Sequence, residues 1–277
     1  MRIFAFADEA CPQIDGQIKA LTRNGLQGLE IRNVDGQNVS DISLEKAREV
    51  RSKLEDAGLV TRSVGSPIGK IDIVRDDNQA HMEKLKHTLE VAGELGAGNI
   101  RMFSYYIPQG EDPENYRNEV IDRLGAMLEL AKGTGVDLCH ENEKGFYGDV
   151  APRCAELLRQ LPDLKGIFDP ANFIQSGQET LEAWEMLHDR IKYMHIKDAL
   201  ENHSVVPAGR GVGHLAELLK MFRAQGGNNV TIEPHLAVFA GLSDLEREGQ
   251  TSKVGVYSYP NSDAAFDAAA DALKEIL

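Results

Sequence analysis

Sulfur and aromatic residues are scarce in this sequence: its 277 residues include 3 cysteines and 1 tryptophan, and aromatics make up 6%. Cys11, Cys139 and Cys154 are odd in number and widely spaced, with no C-x-x-C pair. That argues against a disulfide framework and for reduced thiols in a cytoplasmic protein. Long apolar runs are missing too. The opening stretch "MRIFAFADEACP" has five apolar residues between Arg2 and Asp8, too few for a signal-peptide core, and no later run approaches membrane-spanning length. No membrane partner is expected. Positive charge is the last shortage: 30 Lys and Arg stand against 44 Asp and Glu, a formal net charge of -14. Nucleic acid calls for a basic surface, so it is not an expected partner. A small anionic ligand stays open, because a few local cations outweigh a distant field.

What is present is a well-supplied core. Hydrophobic residues make up 42% and charged residues 27%, ordinary for a globular protein of this length, with no need of a metal or disulfide staple. Short β-branched or aromatic runs fall at 2–7, 28–32, 59–65, 99–104, 136–141, 165–169, 191–197 and 229–234. Between them lie segments of helical period, such as "SLEKAREVRSKLEDAG", which opens on Ser43 as a cap and closes on Gly58. Further helices read at 13–25, 78–98, 114–135, 151–160, 179–188, 212–225 and 263–275. Strand then helix, repeated eight times without a linker, predicts one α/β domain over 1–277, a (β/α)8 TIM barrel. A doubly wound sheet shares the alternation and differs only in closure. Residues 237–261 are too long for a plain connection and read as a lid or an oligomer contact.

In such barrels the reacting groups sit at the C-terminal strand ends. Glu141, Asp169, His195 and Glu233 close the fifth to eighth predicted strands. Side chains alternate along a strand, and Leu138, Phe168, Met194, Ile196 and Ile232 suit the face packed against helices. Cys139 with Glu141, Ile167 with Asp169, Tyr193 with His195, and Thr231 with Glu233 take the opposite parity and converge inside the barrel mouth. Three carboxylates and an imidazole without thiolates suit a six-coordinate divalent cation, with Mn, Mg or Co ahead of Zn. About two positions would stay open, enough for neighbouring oxygens of a sugar. His140 takes the outward parity and reads as a hydrogen-bonded structural residue.

The segments "SPIGKI" (66–71), "HENEKGFYGD" (140–149), "FDPANF" (168–173), "MHIKDA" (194–199), "PAGRG" (207–211) and "IEPHL" (232–236) together resemble the sugar phosphate isomerase/epimerase family. That family has the xylose isomerase-like barrel, and the resemblance runs from the first strand to the last helix. It implies that Glu141, Asp169, His195 and Glu233 ligate the metal. It also implies that Glu141 and Glu233 exchange protons with a sugar, sugar phosphate or keto-polyol through a metal-stabilised enediolate. One departure is Asn172, which stands where ketose 3-epimerases commonly carry His. An inosose-type dehydratase (a lyase) is the nearest alternative, and a non-catalytic sugar-binding barrel a more distant one. Relatives are often dimers or tetramers, so a homo-oligomer is among the expectations.

Other polar residues near the strand ends are candidate substrate contacts: Arg32, Lys70, Arg101, Asn172, Lys197, Arg210 and His235. Glu30 and Arg32 share one parity near the end of the second predicted strand, which suits either an inward substrate contact or a structural ion pair. Glu143 lies beyond its strand and reads as a supporting group. "GRGVG" (209–213) fails as a dinucleotide fingerprint, since His214 takes the last glycine position, and reads as a flexible turn.

Overall fold

The computed structural model describes residues 1–239 and 253–277. The central part of the 237–261 segment, expected as a lid or oligomer contact, therefore lies outside the described residues.

Eight strands form the centre: β1 Arg2–Ala5, β2 Gly28–Ile31, β3 Val60–Val64, β4 Asn99–Met102, β5 Asp137–Glu141, β6 Lys165–Phe168, β7 Ile191–Ile196 and β8 Asn229–Ile232. Each pairs in parallel with its neighbours in chain order, and β8 returns to β1, so the sheet closes into a barrel. Closure excludes the doubly wound alternative. Around it stand α1 Ile14–Arg23, α2 Leu44–Asp56, α3 Asn78–Leu95, α4 Arg117–Ala131, α5 Ala151–Gln160, α6 Pro170–Gln175, α7 Thr180–Leu187, α8 Leu215–Ala224 and α9 Ser262–Ile276. No described helix is long and apolar enough to cross a membrane.

The local signals explain the elements. Ser43 accepts a hydrogen bond from the Lys46 amide at 3.1 Å and starts α2, and Asp77 caps α3 in the same way. Gly58, at φ 71°, ends the α2 turn in a conformation that glycine adopts without strain. Leu138, Phe168, Met194, Ile196 and Ile232 are buried in the layer between strands and helices, as their parity requires. Each such side chain stabilises by about 1.5–3 kcal/mol relative to exposure. Cys139, Ile167 and Tyr193 form a separate apolar cluster inside the barrel. In register, Ile167 pairs with Tyr193 and His195 with Thr231, so the inward residues rise in layers toward the mouth.

Two features differ from expectation. The strands are shorter, so Asp169, Lys197 and Glu233 lie just past the ends of β6, β7 and β8. Asp169 instead caps the short helix α6, accepting from the Asn172 amide at 2.9 Å, with Pro170 in the first turn. Proline at that position has no amide to lose and is preset for helix, so the chain turns there. The second difference is "GRGVG", which is held firmly and is not a loose turn. The Asp198 carboxylate accepts from the amides of Ala199, Gly209, Gly211 and Gly213 at 2.9–3.0 Å. A β-carbon at Gly211 or Gly213 would come within 2.3 or 2.6 Å of Asp198 Oδ1, so only glycine fits.

Candidate metal centre

Glu141 ends β5, His195 lies in β7, and Asp169 and Glu233 follow β6 and β8 directly. All four are at most 4% exposed. One ligand atom from each lies within 4.8 Å of the others. The barrel mouth thus brings together the four residues singled out by strand parity.

Each is held at its far side. His195 Nε2 is 3.1 Å from Glu30 Oε2, while Glu30 Oε1 accepts from the Tyr193 hydroxyl at 2.9 Å. That leaves His195 Nδ1 facing the centre, 2.7 Å from Glu141 Oε1 and 3.7 Å from Glu233 Oε2. A carboxylate behind a ligand imidazole is the usual device for fixing its tautomer and ring orientation. Asn142 joins the ends of β5 and β6, donating to Asp169 O and accepting from Asp169 N, both at 3.0 Å. Asn172 Nδ2 donates to Asn142 O at 2.9 Å and to Glu141 Oε1 at 3.4 Å.

Four cations answer the carboxylates. Lys197 Nζ lies 2.9 Å from Glu233 Oε2 and 3.0 Å from Asp169 Oδ2. Arg101 Nη1 is 3.4 Å from Glu141 Oε2. Arg32 grips Asp8 with two hydrogen bonds of 2.9 and 3.1 Å, reaches Glu9 at 3.1 Å, and meets Glu233 Oε1 at 3.4 Å. Its guanidinium lies over the rings of Phe6 and Phe239, 4.6 and 5.0 Å from their centroids. Lys70 Nζ pairs with Glu143 at 2.9 Å and sits 4.4 Å from the Phe103 centroid, joining the loops after β3 and β5.

Burial and these partners set the charges. Burial pushes the Asp169 carboxyl up to about 7 despite Lys197. Burial alone would raise Glu141 and Glu233 as well, but His195 and Arg101 hold the first below the usual range, and Lys197 with His235 and His195 holds the second well below it. Burial opposes a charged His195, yet Glu141 and Glu30 outweigh it and hold its pKa well above the ordinary value. These shifts describe the side chains without a metal, which would take over the role of the protons.

The set fits a divalent cation on its own evidence. Glu141 Oε2 and Asp169 Oδ2 are buried carboxylate oxygens without a hydrogen bond, met by the charges of Arg101 at 3.4 Å and Lys197 at 3.0 Å. Charge pairing without a hydrogen bond leaves these buried oxygens with unused acceptor capacity, which a coordinated cation would fill. Oxygen-rich donors with one imidazole and no thiolate match a hard or borderline cation.

The other expected residues divide. Arg32, Arg101, Asn172, Lys197 and His235 are buried around the centre, and Lys70 stands at its mouth. Arg210 is not brought there: its guanidinium is exposed and pairs with Glu275 of α9 at 2.8 Å. The loop carrying it is wound around Asp198, which turns the side chain outward. Glu30 and Arg32 both enter buried ion pairs, the first with His195 and the second with Asp8, Glu9 and Glu233. His140 is buried and hydrogen-bonded to Ser104 Oγ at 2.9 Å, as its parity indicated. Burial pushes its pKa down to about 4. Sequence reasoning missed Asp8, Glu9 and Asn142. The parity of Phe4 and Phe6 would have carried inward to Asp8; Glu9 ends a short 3-10 helix and Asn142 lies in the loop after β5, where no strand period reaches.

Residues 18–253 match the xylose isomerase-like TIM barrel family, and the chain belongs to it. Similar solved structures include the probable 3-DHS dehydratase AsbF of Bacillus anthracis, involved in petrobactin synthesis. It is 16% identical, with TM-score 0.76 and 99% of each chain covered. The D-psicose 3-epimerase of Clostridium cellulolyticum H10, solved with D-tagatose, is 15% identical with TM-score 0.76, covering 99% of this chain and 98% of that one. The IOLI protein, solved with a zinc atom, is 15% identical with TM-score 0.74, covering 100% and 98%. At these identities the likeness is one of fold. No curated protein matches the sequence.

Proposed function

We propose that the chain is a divalent-metal-dependent isomerase or epimerase of a sugar, sugar phosphate or related keto-polyol. Glu141, Asp169, His195 and Glu233 are its metal ligands, and Glu141 and Glu233 its acid–base pair. The observation that carries this reading is the convergence of the two buried glutamates, from strands separated by β6 and β7, on one cluster with an imidazole and with carboxylate oxygens that make no hydrogen bond. Membership of the family supports it. The epimerase and dehydratase named among the fold relatives, and the zinc atom of the IOLI protein, agree with it by analogy of fold.

Glu141, Asp169, His195 and Glu233 would hold the divalent cation, which would supply positive charge to a substrate carbonyl oxygen and so ease loss of a proton from the adjacent carbon. Without metal, Glu141 and Glu233 are ionised beside their cationic neighbours, the form of a carboxyl that accepts a proton. Standing on different strands, one can take the proton from one face and the other return one on the opposite face, inverting the carbon. Return to the neighbouring carbon gives the isomer. Mn, Mg or Co suits the oxygen-rich donor set best. Arg32, Arg101, Lys70, Asn172, Lys197 and His235 border the substrate space, and the reduced thiols fit a cytoplasmic enzyme.

Incubation with Mn and a panel of ketoses and ketose phosphates in heavy water tests the reading. Deuterium should appear at a carbon next to the carbonyl, and its absence across the panel contradicts the proposal. An inosose-type dehydratase is the second reading. It is favoured by Asn172, an amide without acid–base chemistry where the resemblance to 3-epimerases calls for His. A product lighter by one water would select it.

A further inference from the structure

Lys197 follows β7, two residues after His195, and is only 8% exposed. Its position on the carboxylates is specific to the oxygen atom. Asp169 Oδ1 is already engaged by the Asn172 amide at 2.9 Å, and Glu233 Oε1 faces Arg32 at 3.4 Å and His235 Nδ1 at 3.6 Å. Each carboxylate therefore has one oxygen turned to the centre, Asp169 Oδ2 and Glu233 Oε2. Those two atoms are the ones that Lys197 Nζ meets, at 3.0 and 2.9 Å.

A divalent ion held by Asp169 and Glu233 would need the same two oxygens, the ones turned to the centre. An ammonium and a dication sharing two oxygens in a buried pocket repel strongly, because little water or salt screens them. Lysine is suited to giving way: its charge is a point at the end of a flexible four-carbon stem, whereas an arginine fork is bound by its geometry. On the reading of this cluster as a metal centre, we infer that Lys197 competes with the metal for Asp169 and Glu233. We further infer that metal binding releases its ammonium to the substrate side of the pocket. Lys197 is then a residue with two positions. Without metal it neutralises the carboxylates; with metal it meets a substrate oxygen as a cation that has no carboxylate of its own.

The test is calorimetric titration of Mn(II) into the full chain, stripped of metal, and into Lys197→Met and Lys197→Arg. Circular dichroism checks each fold. Removing the competing charge should tighten Mn binding by about tenfold or more in Lys197→Met, whereas Lys197→Arg should bind no more tightly than the wild type. Equal or weaker binding by a folded Lys197→Met overturns the inference and leaves the metal centre standing. Absence of Mn binding in both the wild type and Lys197→Met overturns the metal centre and the inference together. A crystal structure of the Mn-loaded wild type gives a reading independent of any variant. Lys197 Nζ beyond about 4 Å from Asp169 Oδ2 and Glu233 Oε2 supports release, and contact kept with both oxygens contradicts it.

Discussion

Glu233 belongs to two buried clusters that differ in what neutralises them. On one side, with Glu141, Asp169 and His195, its Oε2 faces a lysine and an imidazole, and oxygens of the neighbouring carboxylates are left without hydrogen bonds. On the other, with Glu9 and His235, its Oε1 faces Arg32, which is locked by two bonds to Asp8 and covered by Phe6 and Phe239. Donor counting alone would make both into metal sites. The arginine decides otherwise. It supplies a fixed, permanently charged fork where a metal would have to sit, so the second cluster is a clamp that aims Glu233. The first cluster holds an arginine too, Arg101 at 3.4 Å from Glu141 Oε2, but there Asp169 and Glu233 meet an exchangeable ammonium, which leaves those two able to take a cation.

The largest effect should come from the exchangeable side. Glu141→Gln removes a ligand and a base together and should lower activity by about 10⁴-fold. Its thermal unfolding should stay near wild type, and a fully active variant would sink the assignment. Arg32→Met probes the clamp. It strands Asp8, Glu9 and Glu233 in the interior and should cost about 3–5 kcal/mol in urea unfolding. Added Mn should not restore that loss, whereas it should restore stability lost in Lys197→Met. Rescue of both by Mn would erase the distinction between the clusters.

His81 lies outside both and provides a control for acid stability. Its Nε2 accepts from the Gly69 amide at 2.7 Å, and burial pushes its pKa down from 6.5 to about 4. The folded state therefore keeps the ring neutral where the unfolded chain protonates it. The contribution is complete above about 6.5 and is lost as the pH falls toward about 4, at roughly 1.4 kcal/mol per pH unit. Urea titrations at pH 7 and 5 should show that slope, reduced in His81→Gln; an unchanged slope contradicts the role. The smallest effect is expected at Arg210. Its exposed pair with Glu275 should be worth less than about 1 kcal/mol, and Arg210→Ala should leave KM unchanged.

The same comparison shows what was legible in the sequence. The exchangeable cluster could be read because its members sit at strand ends, where a period of two carries Cys139 to Glu141 and Tyr193 to His195. The clamp could not, since Glu9 lies in a short 3-10 helix beyond β1 and His235 in the loop beyond β8, with a positive φ of 44° that no pattern announces. Helix α6 was hidden inside "FDPANF", although Asp169 followed by Pro170 is a helix-start signal. Arg210 was misplaced because its direction depends on Asp198, bonded to glycines 11 to 15 residues away. Glu30 had the right parity, but its partner His195 lies 165 residues further along the chain. Period and local signals reach a few residues; such pairings are made only when the barrel closes.

The most direct measurement is spin-echo electron paramagnetic resonance of the Mn(II)-loaded protein. The account predicts nitrogen coupling from one imidazole, abolished in His195→Gln and retained in His235→Gln. Coupling that survives His195→Gln and disappears in His235→Gln would place the metal in the other cluster and contradict the account.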